Sequence, residues 1–363
     1  MTIYLDYQAT TPLAPEAFEA MLPLLRDQFA NPHSAHRLGR AAAAEVEMAR
    51  AEVAALLPPL GRLIFTSGAT EALNIAIQGF SRGSIVTIAT EHAAVLDTVR
   101  SMGARGRDVI ILPVGADGIV DRDAAAEAIR PGVALVSAML VNNEIGVIQP
   151  VGWLADLAHR AGAAFLCDAV QGYGRSPISA HCDMVAISAH KIHGPKGVGA
   201  LWLRDGLDLA PLIHGGGQEV GLRSGTLSPA LCAGFGVAAR LIREQAQADA
   251  LHVERLWDEA RGLFSGWTIN GSQEARYHGN LNLRRPDIDG ARLLSDCRKV
   301  AFSLGSACAS GSGRPSHVLR AIGLSDREAR GSVRIGFGRY TSSAELGDAA
   351  RIINEAAAVQ AAL

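Results

Sequence analysis

The sequence predicts an α/β protein with a mainly parallel seven-stranded sheet in a large domain and with a smaller α+β domain. From residue 63 onward, short apolar runs alternate with helical patterns. Repeated βα units of this kind form a parallel sheet that helices cover on both faces. The composition agrees, because 48% of the 363 residues are hydrophobic and only 19% are charged, as is typical of compact globular proteins.

The elements of the large domain follow in order along the chain. The predicted strands cover residues 63–65, 85–89, 109–113, 135–140, 164–167, 184–187 and 200–203. The predicted helices cover residues 15–27, 38–57, 69–80, 93–102, 121–129 and 151–161. The Ala-rich helix over 38–57 is favoured by both propensity and pattern. In such a sheet, ligands bind at the carboxyl ends of the strands.

The pattern changes in the last third of the chain. A long helical stretch over 229–263 leads out of the sheet domain, and shorter strands over 267–270, 279–283, 300–302 and 333–337 follow among helices. This mixture predicts the smaller α+β domain, which the strand over 3–5 joins. We therefore place the large domain at 15–250 and the small domain at 1–14 and 251–363.

Charge and composition exclude several classes of protein. The net charge of −2 argues against a general nucleic-acid surface. The longest strongly apolar run, over 133–141, is too short to span a bilayer, and the first residues lack a secretory signal pattern. We expect a cytoplasmic protein without direct membrane contact. Its five cysteines form no Cys-x-x-Cys pair, which argues against a disulfide framework and a metal site.

Polar residues at the ends of three predicted strands point to one ligand. Lys191 follows a buried strand, where desolvation disfavours its charged form and makes the amine a usable nucleophile. Residues 66–71 (Thr-Ser-Gly-Ala-Thr-Glu) open a helix and form a candidate phosphate site. Asp168 follows another strand, where a buried carboxylate needs a positive partner.

Each feature also has an ordinary structural explanation. Lys191 could reach solvent, residues 66–71 could be a simple helix N-cap, and Asp168 could cap a helix. In combination, however, they supply a Schiff-base lysine, a phosphate cradle and a partner for a pyridinium nitrogen. Those are the groups that a protein must provide to pyridoxal 5′-phosphate (PLP).

Several longer motifs carry a resemblance to a known family. They lie at 4–12 (Tyr-Leu-Asp-Tyr-Gln-Ala-Thr-Thr-Pro), 65–71, 90–92 (Thr-Glu-His), 141–146 (Val-Asn-Asn-Glu-Ile-Gly), 168–171 (Asp-Ala-Val-Gln), 188–197 (Ser-Ala-His-Lys-Ile-His-Gly-Pro-Lys-Gly), 223–226 (Arg-Ser-Gly-Thr) and 305–308 (Gly-Ser-Ala-Cys). The sequence resembles cysteine desulfurases of the NifS/IscS type, in the class V aminotransferase group of fold-type I PLP enzymes. The resemblance implies that fold and that cofactor for nearly the whole chain.

The resemblance also implies roles for individual residues. Lys191 would bond to the cofactor, Asp168 would pair with its ring nitrogen, and Gln171 would hydrogen-bond its phenolic oxygen. His92 would stack on the ring and assist proton transfer. The residues implied in binding the phosphate are Ala69, Thr70, Ser188, His190 and, from the partner subunit, Thr226. Asn31 and Arg339 would contact the substrate, and Asn143 would contact the cofactor or the substrate.

Without the resemblance, His92 could equally be a core histidine, and Arg339 could be a structural ion-pair partner.

Cys308 separates the possible reactions of a PLP enzyme. It lies in a run of small and polar residues, 304–317, that predicts an exposed, mobile loop. A thiol there could attack the substrate sulfur, and the resemblance implies that L-cysteine becomes L-alanine while Cys308 takes up a persulfide. An incidental surface cysteine is the alternative interpretation.

The implied enzyme is a homodimer that passes its persulfide to an acceptor protein, a scaffold or a sulfurtransferase, for iron–sulfur cluster assembly or tRNA thiolation. From the resemblance, we expect the chain to lack the longer C-terminal tail by which some relatives dock the scaffold, so the acceptor stays open. A selenocysteine lyase and a class V aminotransferase are the nearest alternatives. A non-enzymatic scaffold or metal carrier would leave Lys191 and Asp168 unexplained.

Overall fold

The computed structural model describes residues 2–80, 83–304 and 315–362, and the bounds below belong to those ranges. The strands are β1 (Ile3–Tyr4), β2 (Gly61–Thr66), β3 (Ser84–Ile88), β4 (Val109–Leu112), β5 (Val133–Met139), β6 (Ala164–Asp168), β7 (Met184–Ser188), β8 (Gly199–Arg204), β9 (Thr268–Ile269), β10 (Asn280–Arg284), β11 (Val300–Ala301), β12 (Ser303–Leu304) and β13 (Ser332–Gly336). The helices are α1 (Pro15–Arg26), α2 (Arg37–Ala54), α3 (Ala69–Gln78), α4 (Ala93–Ala104), α5 (Arg122–Ala128), α6 (Val151–Arg160), α7 (Pro229–Glu244), α8 (Ala246–Leu263), α9 (Gly290–Asp296), α10 (His317–Ala321), α11 (Asp326–Arg330) and α12 (Ser343–Ala361).

The central sheet has seven strands in the order β2-β8-β7-β6-β5-β3-β4. Strand β8 runs antiparallel to both of its neighbours, and the other neighbouring pairs are parallel. The predicted fold class is therefore confirmed, and all seven predicted strands are present. The pleat sends Phe165 into the core on one face of the sheet and Leu166 into the core on the other. Burial on both faces explains why these strands are continuous apolar runs.

The strand directions bring the polar strand ends to one edge. Strands β5, β6 and β7 are parallel neighbours, and β2 runs in the same direction because β8 lies antiparallel between β2 and β7. Gly199, at the start of β8, is paired with Ser188 on one side and Thr66 on the other. The two candidate phosphate segments consequently lie side by side.

Helices α1, α2 and α7 pack together outside the sheet. His36 is the N-cap residue of helix α2, and its Nδ1 accepts the Gly39 N–H at 3.1 Å. At Gly236 of α7 an added Cβ would lie 2.7 Å from Ala49 Cα, so only glycine allows α7 to approach α2 so closely. No helix within the described ranges is both long enough and apolar enough to cross a membrane.

The stretch predicted as one helical segment over 229–263 forms two helices, α7 and α8. They meet at Gln245, which ends α7 with φ −103° and ψ 7° and precedes α8. The sequence contains no glycine or proline at this point, so the break carries no local signal. It depends instead on where each helix packs, since α7 contributes to the core of the central sheet and α8 to a second core.

The second core surrounds a four-stranded antiparallel sheet of order β12-β13-β10-β9. Leu5, Trp257, Leu281, Ile335 and Ile353 are among its buried residues. The N-terminal segment joins this part of the molecule, because β1 pairs in parallel with β11. The proposed domain limits stay a prediction, and helix α8 spans the predicted boundary at 250.

The described cysteines are structural. Cys167, Cys182, Cys232 and Cys297 are all buried, and none forms a disulfide. Their burial is that of residues that pack the core. Cys308 lies outside the described residues.

Candidate active site

A cavity of about 620 Å³ lies at the carboxyl edge of the central sheet. Nine of the predicted site residues line it. They are Ala69, Thr70, His92, Asn143, Asp168, Gln171, Ser188, His190 and Lys191. These residues come from five separate segments of the chain, so their convergence is a property of the tertiary structure.

Lys191 is held at the cavity wall by the N-terminal segment. It ends a short 3-10 helix, Ala189–Lys191, that follows β7. Its Nζ donates to the carbonyl oxygens of Gln8 at 2.6 Å and Ala9 at 2.7 Å. The side chain of Thr11 donates to the carbonyl oxygen of His190 at 3.0 Å, which ties the two segments together. The amine is therefore fixed in place and half-buried.

Asp168 and Gln171 form the wall beside β5. Asp168 Oδ1 accepts the Val170 N–H at 3.0 Å. Burial raises the pKa of Asp168, while the Val170 amide, His92 and Lys191 act in the opposite direction. Gln171 Nε2 donates to Gln8 O at 2.9 Å, and its buried Oε1 has no hydrogen-bond partner among the described residues. A ligand with a cationic ring nitrogen and a polar substituent would satisfy both side chains.

The phosphate cradle is the turn that precedes α3. Gly68 is the N-cap residue, and no side chain caps the helix there. Thr66 Oγ1 donates to Gly68 O at 2.9 Å, which fixes the turn, and Ala69 and Thr70 begin the helix. The first N–H groups of a ten-residue helix and its dipole therefore face the cavity and suit an anion.

Two histidines lie at the cavity in defined states. The Nδ1 of His92 accepts the Ala94 N–H at 3.1 Å, so a neutral His92 carries its proton on Nε2. His190 Nδ1 lies 3.2 Å from Thr10 Oγ1. Burial, together with the charges of Lys191 and Lys196, lowers the pKa of His190 to about 4. At neutral pH His190 is thus an uncharged hydrogen-bonding group.

A second acid lies beneath the cavity. Glu91 is fully buried, and its Oε1 accepts the Met139 N–H at 2.5 Å. Burial and the nearby charge of Asp168 raise the pKa of Glu91 well above its ordinary value. Both effects favour the neutral form of Glu91.

Arg334 lines the cavity, although the sequence analysis did not select it. Its side chain is 1% exposed, and Nη2 lies 2.8 Å from Asp6 Oδ1. Nη1 donates to Asn143 O at 2.9 Å, and within the described chain the buried Nε has no hydrogen-bond partner. An arginine in the middle of an apolar strand was the signal that could have identified it, because a buried charge needs a partner or a ligand.

The structure does not bring Arg339 to the cavity. Its guanidinium forms a bidentate ion pair with Asp249. Arg339 Nη2 lies 2.6 Å from Asp249 Oδ2, and Nε lies 3.0 Å from Oδ1. The ordinary interpretation of Arg339, a structural ion-pair partner, matches this geometry. Arg334 and Arg339 lie only five residues apart in one motif, and it is Arg334 that lines the cavity.

Asn31 and Thr226 also lie away from the cavity lining. Both are exposed, and Asn31 Oδ1 accepts the His33 N–H at 2.9 Å. Thr226 was predicted to serve the partner subunit, which a single chain does not test. Cys308 belongs to residues 305–314, which lie outside the described residues. Lys196 and His317 line the cavity without having been selected.

Comparison with known proteins identifies the family. The model for aminotransferase class V matches residues 3–348. The chain belongs to this family. It is 42% identical to "Cysteine desulfurase IscS" of Rickettsia bellii over 370 residues, which covers 97% of this chain and 90% of the relative.

Two solved structures are similar over nearly the whole chain. One is described as "NIFS-LIKE PROTEIN", with a TM-score of 0.91, 32% identity and full coverage of both chains. The other is "SspA in complex with cysteine", with a TM-score of 0.83 and 36% identity, covering 94% of this chain and 100% of that one. These matches confirm the fold and the family that the motifs indicated.

The cofactor of this family is PLP, and the residues of the cavity fit it. Lys191 supplies an amine, Asp168 a carboxylate, and the start of α3 an uncapped set of amides. Among the described cavity-lining residues, the buried polar atoms without a partner that a polar ligand could satisfy are Oε1 of Gln8, Oε1 of Gln171 and Nε of Arg334. The chain is accordingly a PLP-dependent enzyme.

Proposed function

We propose that this protein is a cysteine desulfurase that converts L-cysteine to L-alanine and holds the removed sulfur as a persulfide on Cys308. The observation that carries the proposal is the convergence of Lys191, Asp168 and the α3 cradle on one cavity. The relatives named as cysteine desulfurases support the choice of reaction.

The cavity residues would hold the cofactor as the sequence analysis assigned them. Lys191 would bond to it, Asp168 would pair with the ring nitrogen, and Gln171 with the phenolic oxygen. Ala69, Thr70, Ser188 and His190 would hold the phosphate. Bound there, PLP supplies an electron sink for the charge that develops at the substrate α-carbon.

The protein's own groups then perform the proton transfers. The Lys191 amine removes the α-proton of the substrate and later returns a proton, which its fixed position at the cavity wall favours. His92, the N-cap residue of α4, carries a proton on Nε2 that it could donate to a group bound in the cavity. The raised pKa of Glu91 disfavours a second negative charge beside Asp168.

Arg334 is the group that we assign to the substrate carboxylate, in place of Arg339. It already binds Asp6 and the Asn143 carbonyl through its two terminal nitrogens, and its Nε is without a partner among the described atoms. Arginine suits a carboxylate because its planar donors match two oxygens.

The sulfur step balances without an external oxidant. The Cys308 thiolate attacks the sulfur of L-cysteine, the carbon–sulfur bond breaks, and the electron pair returns to the substrate carbon, which takes up a proton. L-Cysteine and one thiol give L-alanine and one persulfide. The persulfide sulfur then passes to an acceptor thiol on a scaffold or sulfurtransferase, for iron–sulfur assembly or tRNA thiolation in the cytoplasm.

The same proposal includes a homodimer. Helices α1 and α2 and the turn between them carry several large exposed apolar side chains, among them Leu25, Phe29, Leu38 and Met48, and Phe29 is 83% exposed. Such a set on one part of a surface is typical of an interface. The combined substitution Leu25→Glu and Phe29→Glu should shift sedimentation from dimer to monomer, whereas Val359→Glu, also at an exposed apolar position, should leave the dimer intact.

One experiment tests the reaction and the nucleophile together. The purified protein should be yellow, and with L-cysteine and a thiol reductant it should form sulfide and alanine in equal amounts. Cys308→Ala should stay yellow and lose both products, while Cys297→Ala, at a buried cysteine of the second core, should retain both. A yellow wild-type protein that forms neither product would contradict the proposal. Persulfide on a Cys308→Ser protein would exclude the assigned nucleophile.

A further inference from the structure

A largely buried ion pair between Glu71 and Arg223 lies beside the phosphate cradle. Glu71 is in the first turn of α3, directly after the cradle residues. Arg223 Nε lies 2.7 Å from Glu71 Oε1, and Arg223 Nη2 lies 3.3 Å from Glu71 Oε2. Glu71 Oε2 also accepts the Ser67 N–H at 2.5 Å. The side chains of Glu71 and Arg223 are only 12% and 17% exposed, so solvent screens the pair weakly.

Glu71 is ionised in this position. Burial opposes ionisation, but the hydrogen bonds from Arg223 and Ser67 hold the pKa of Glu71 below its ordinary value. A carboxylate in the first turn of a helix interacts with the same dipole and the same free amides that bind a phosphate. Without compensation, the charge of Glu71 would compete with an anionic ligand of the cradle.

Arg223 is held in place by its own segment and does not depend on Glu71. It forms a parallel bridge with Ile213, and the next residue, Ser224, donates its N–H to Ile213 O at 3.2 Å. The Gly225 N–H donates to Gln218 Oε1 at 2.8 Å. The guanidinium is thus presented to Glu71 by a preformed loop.

The same loop is anchored a second time at the end of β2. The carboxylate of Glu219 binds Arg50 through both oxygens, at 2.8 and 2.9 Å, and accepts the Phe65 N–H at 2.6 Å. This second ion pair fixes the loop to the strand that leads into the cradle. Removal of Arg223 should therefore change the charge beside the cradle while Glu219 still holds the loop.

We propose that Arg223 is a positioning residue for the cofactor phosphate. By pairing with Glu71, Arg223 neutralises that carboxylate and keeps it away from the phosphate position, so that the start of α3 can bind a dianion. This inference rests on the cofactor assigned above and not on the desulfuration step. It separates Arg223 from the residues that touch the cofactor, since Arg223 acts through Glu71.

The test measures cofactor affinity, not turnover. Apoprotein is titrated with PLP and, separately, with pyridoxal, which lacks the phosphate, and binding is followed by absorbance. The variants are Arg223→Met, Glu71→Gln and the double substitution. The control is Arg204→Met, which breaks a comparable ion pair. Arg204 Nε lies 3.1 Å from Asp183 Oδ1, and neither residue lines the cavity.

Arg223→Met should weaken PLP binding by about tenfold, the size expected for one uncompensated charge at a helix start. Pyridoxal binding should be nearly unchanged. Glu71→Gln keeps an acceptor for Ser67 but loses the charge, so it should bind PLP about as well as the wild type. The double substitution should recover most of the affinity that Arg223→Met loses, and Arg204→Met should have no effect.

A purely structural ion pair would give a different pattern. Pyridoxal binding would fall together with PLP binding, and the double substitution would be as weak as Arg223→Met. Either result would overturn the inference. A wild-type protein that binds PLP but forms no alanine would instead contradict the proposed reaction, and the variant series would still decide the role of Arg223.

Discussion

Arg334 offers a sharp test of how the cavity recognises its substrate. Arg334→Lys keeps the positive charge opposite Asp6, where Arg334 Nη2 lies 2.8 Å from Asp6 Oδ1. Lysine has a single ammonium on a flexible chain, so it cannot contact Asp6, the Asn143 carbonyl and a substrate carboxylate together. We expect it to keep the ion pair and to lose the contact with the substrate.

The magnitude follows from that lost contact. A hydrogen bond to a charged group contributes about 1.5–3 kcal/mol. At about 1.4 kcal/mol per factor of ten, kcat/KM for L-cysteine should fall about 10- to 150-fold. The loss should appear mainly in KM, because substrate binding is weakened while Lys191 and Asp168 are unchanged. The PLP absorbance should stay as in the wild type.

The assay is alanine formation over a range of L-cysteine concentrations, with Arg339→Lys as the matched control. Arg339 pairs with Asp249 and does not line the cavity. Its replacement should leave kcat/KM within about twofold of the wild type, since lysine preserves an ion pair that lies outside the cavity. If Arg339→Lys loses activity and Arg334→Lys does not, the assignment from the structure is refuted and the sequence-based choice is restored.

Three further substitutions test the surroundings of the cavity. Gly199→Ala would place a Cβ 2.7 Å from Gly68 Cα, so it should weaken PLP binding and lower the unfolding free energy by about 1–3 kcal/mol. The control Gly347→Ala, where an added Cβ meets open space, should do neither. PLP titration and thermal unfolding measure the two effects. Burial, followed by the charge of Arg175, lowers the pKa of His193 to about 4. Between about pH 4 and pH 6.5 the unfolded chain therefore binds more protons than the folded chain, and the free energy of unfolding should fall as the pH falls through that range. His193→Asn, which tolerates the φ of 69° at this position, should flatten that dependence in urea unfolding, and an unchanged slope would contradict the assignment. Burial and Asp168 raise the pKa of Glu91 and favour its neutral form, so Glu91→Gln should cost less than about 1 kcal/mol in thermal unfolding, and a much larger loss would contradict this reasoning.

Much of the cavity could be predicted because its residues follow strand ends. Lys191, Asp168 and the 66–71 turn each come directly after a buried apolar run. Parallel strands bring such positions to one edge, so three local patterns were enough to predict a shared ligand. The longer motifs added His92, Asn143, Gln171, Ser188 and His190, and all five line the cavity.

The remaining features depend on contacts between distant parts of the chain. The carbonyls of Gln8 and Ala9 hold Lys191 across more than 180 positions of sequence, and no local pattern in either segment indicates this. The break between α7 and α8 likewise has no glycine or proline to mark it, because two separate cores determine it.

The sequence by itself determined the fold class, the order of the strands and helices along the chain, the cofactor and nine of the residues that line the cavity. Apolar periodicity and strand-end chemistry are local, and local patterns can be seen in one dimension. Only the tertiary structure distinguishes Arg334 from Arg339, since both occur in one short motif and both are largely buried, but only Arg334 lines the cavity. It also placed Arg223 against Glu71, because an ion pair between residues 152 positions apart exists only once the chain has folded.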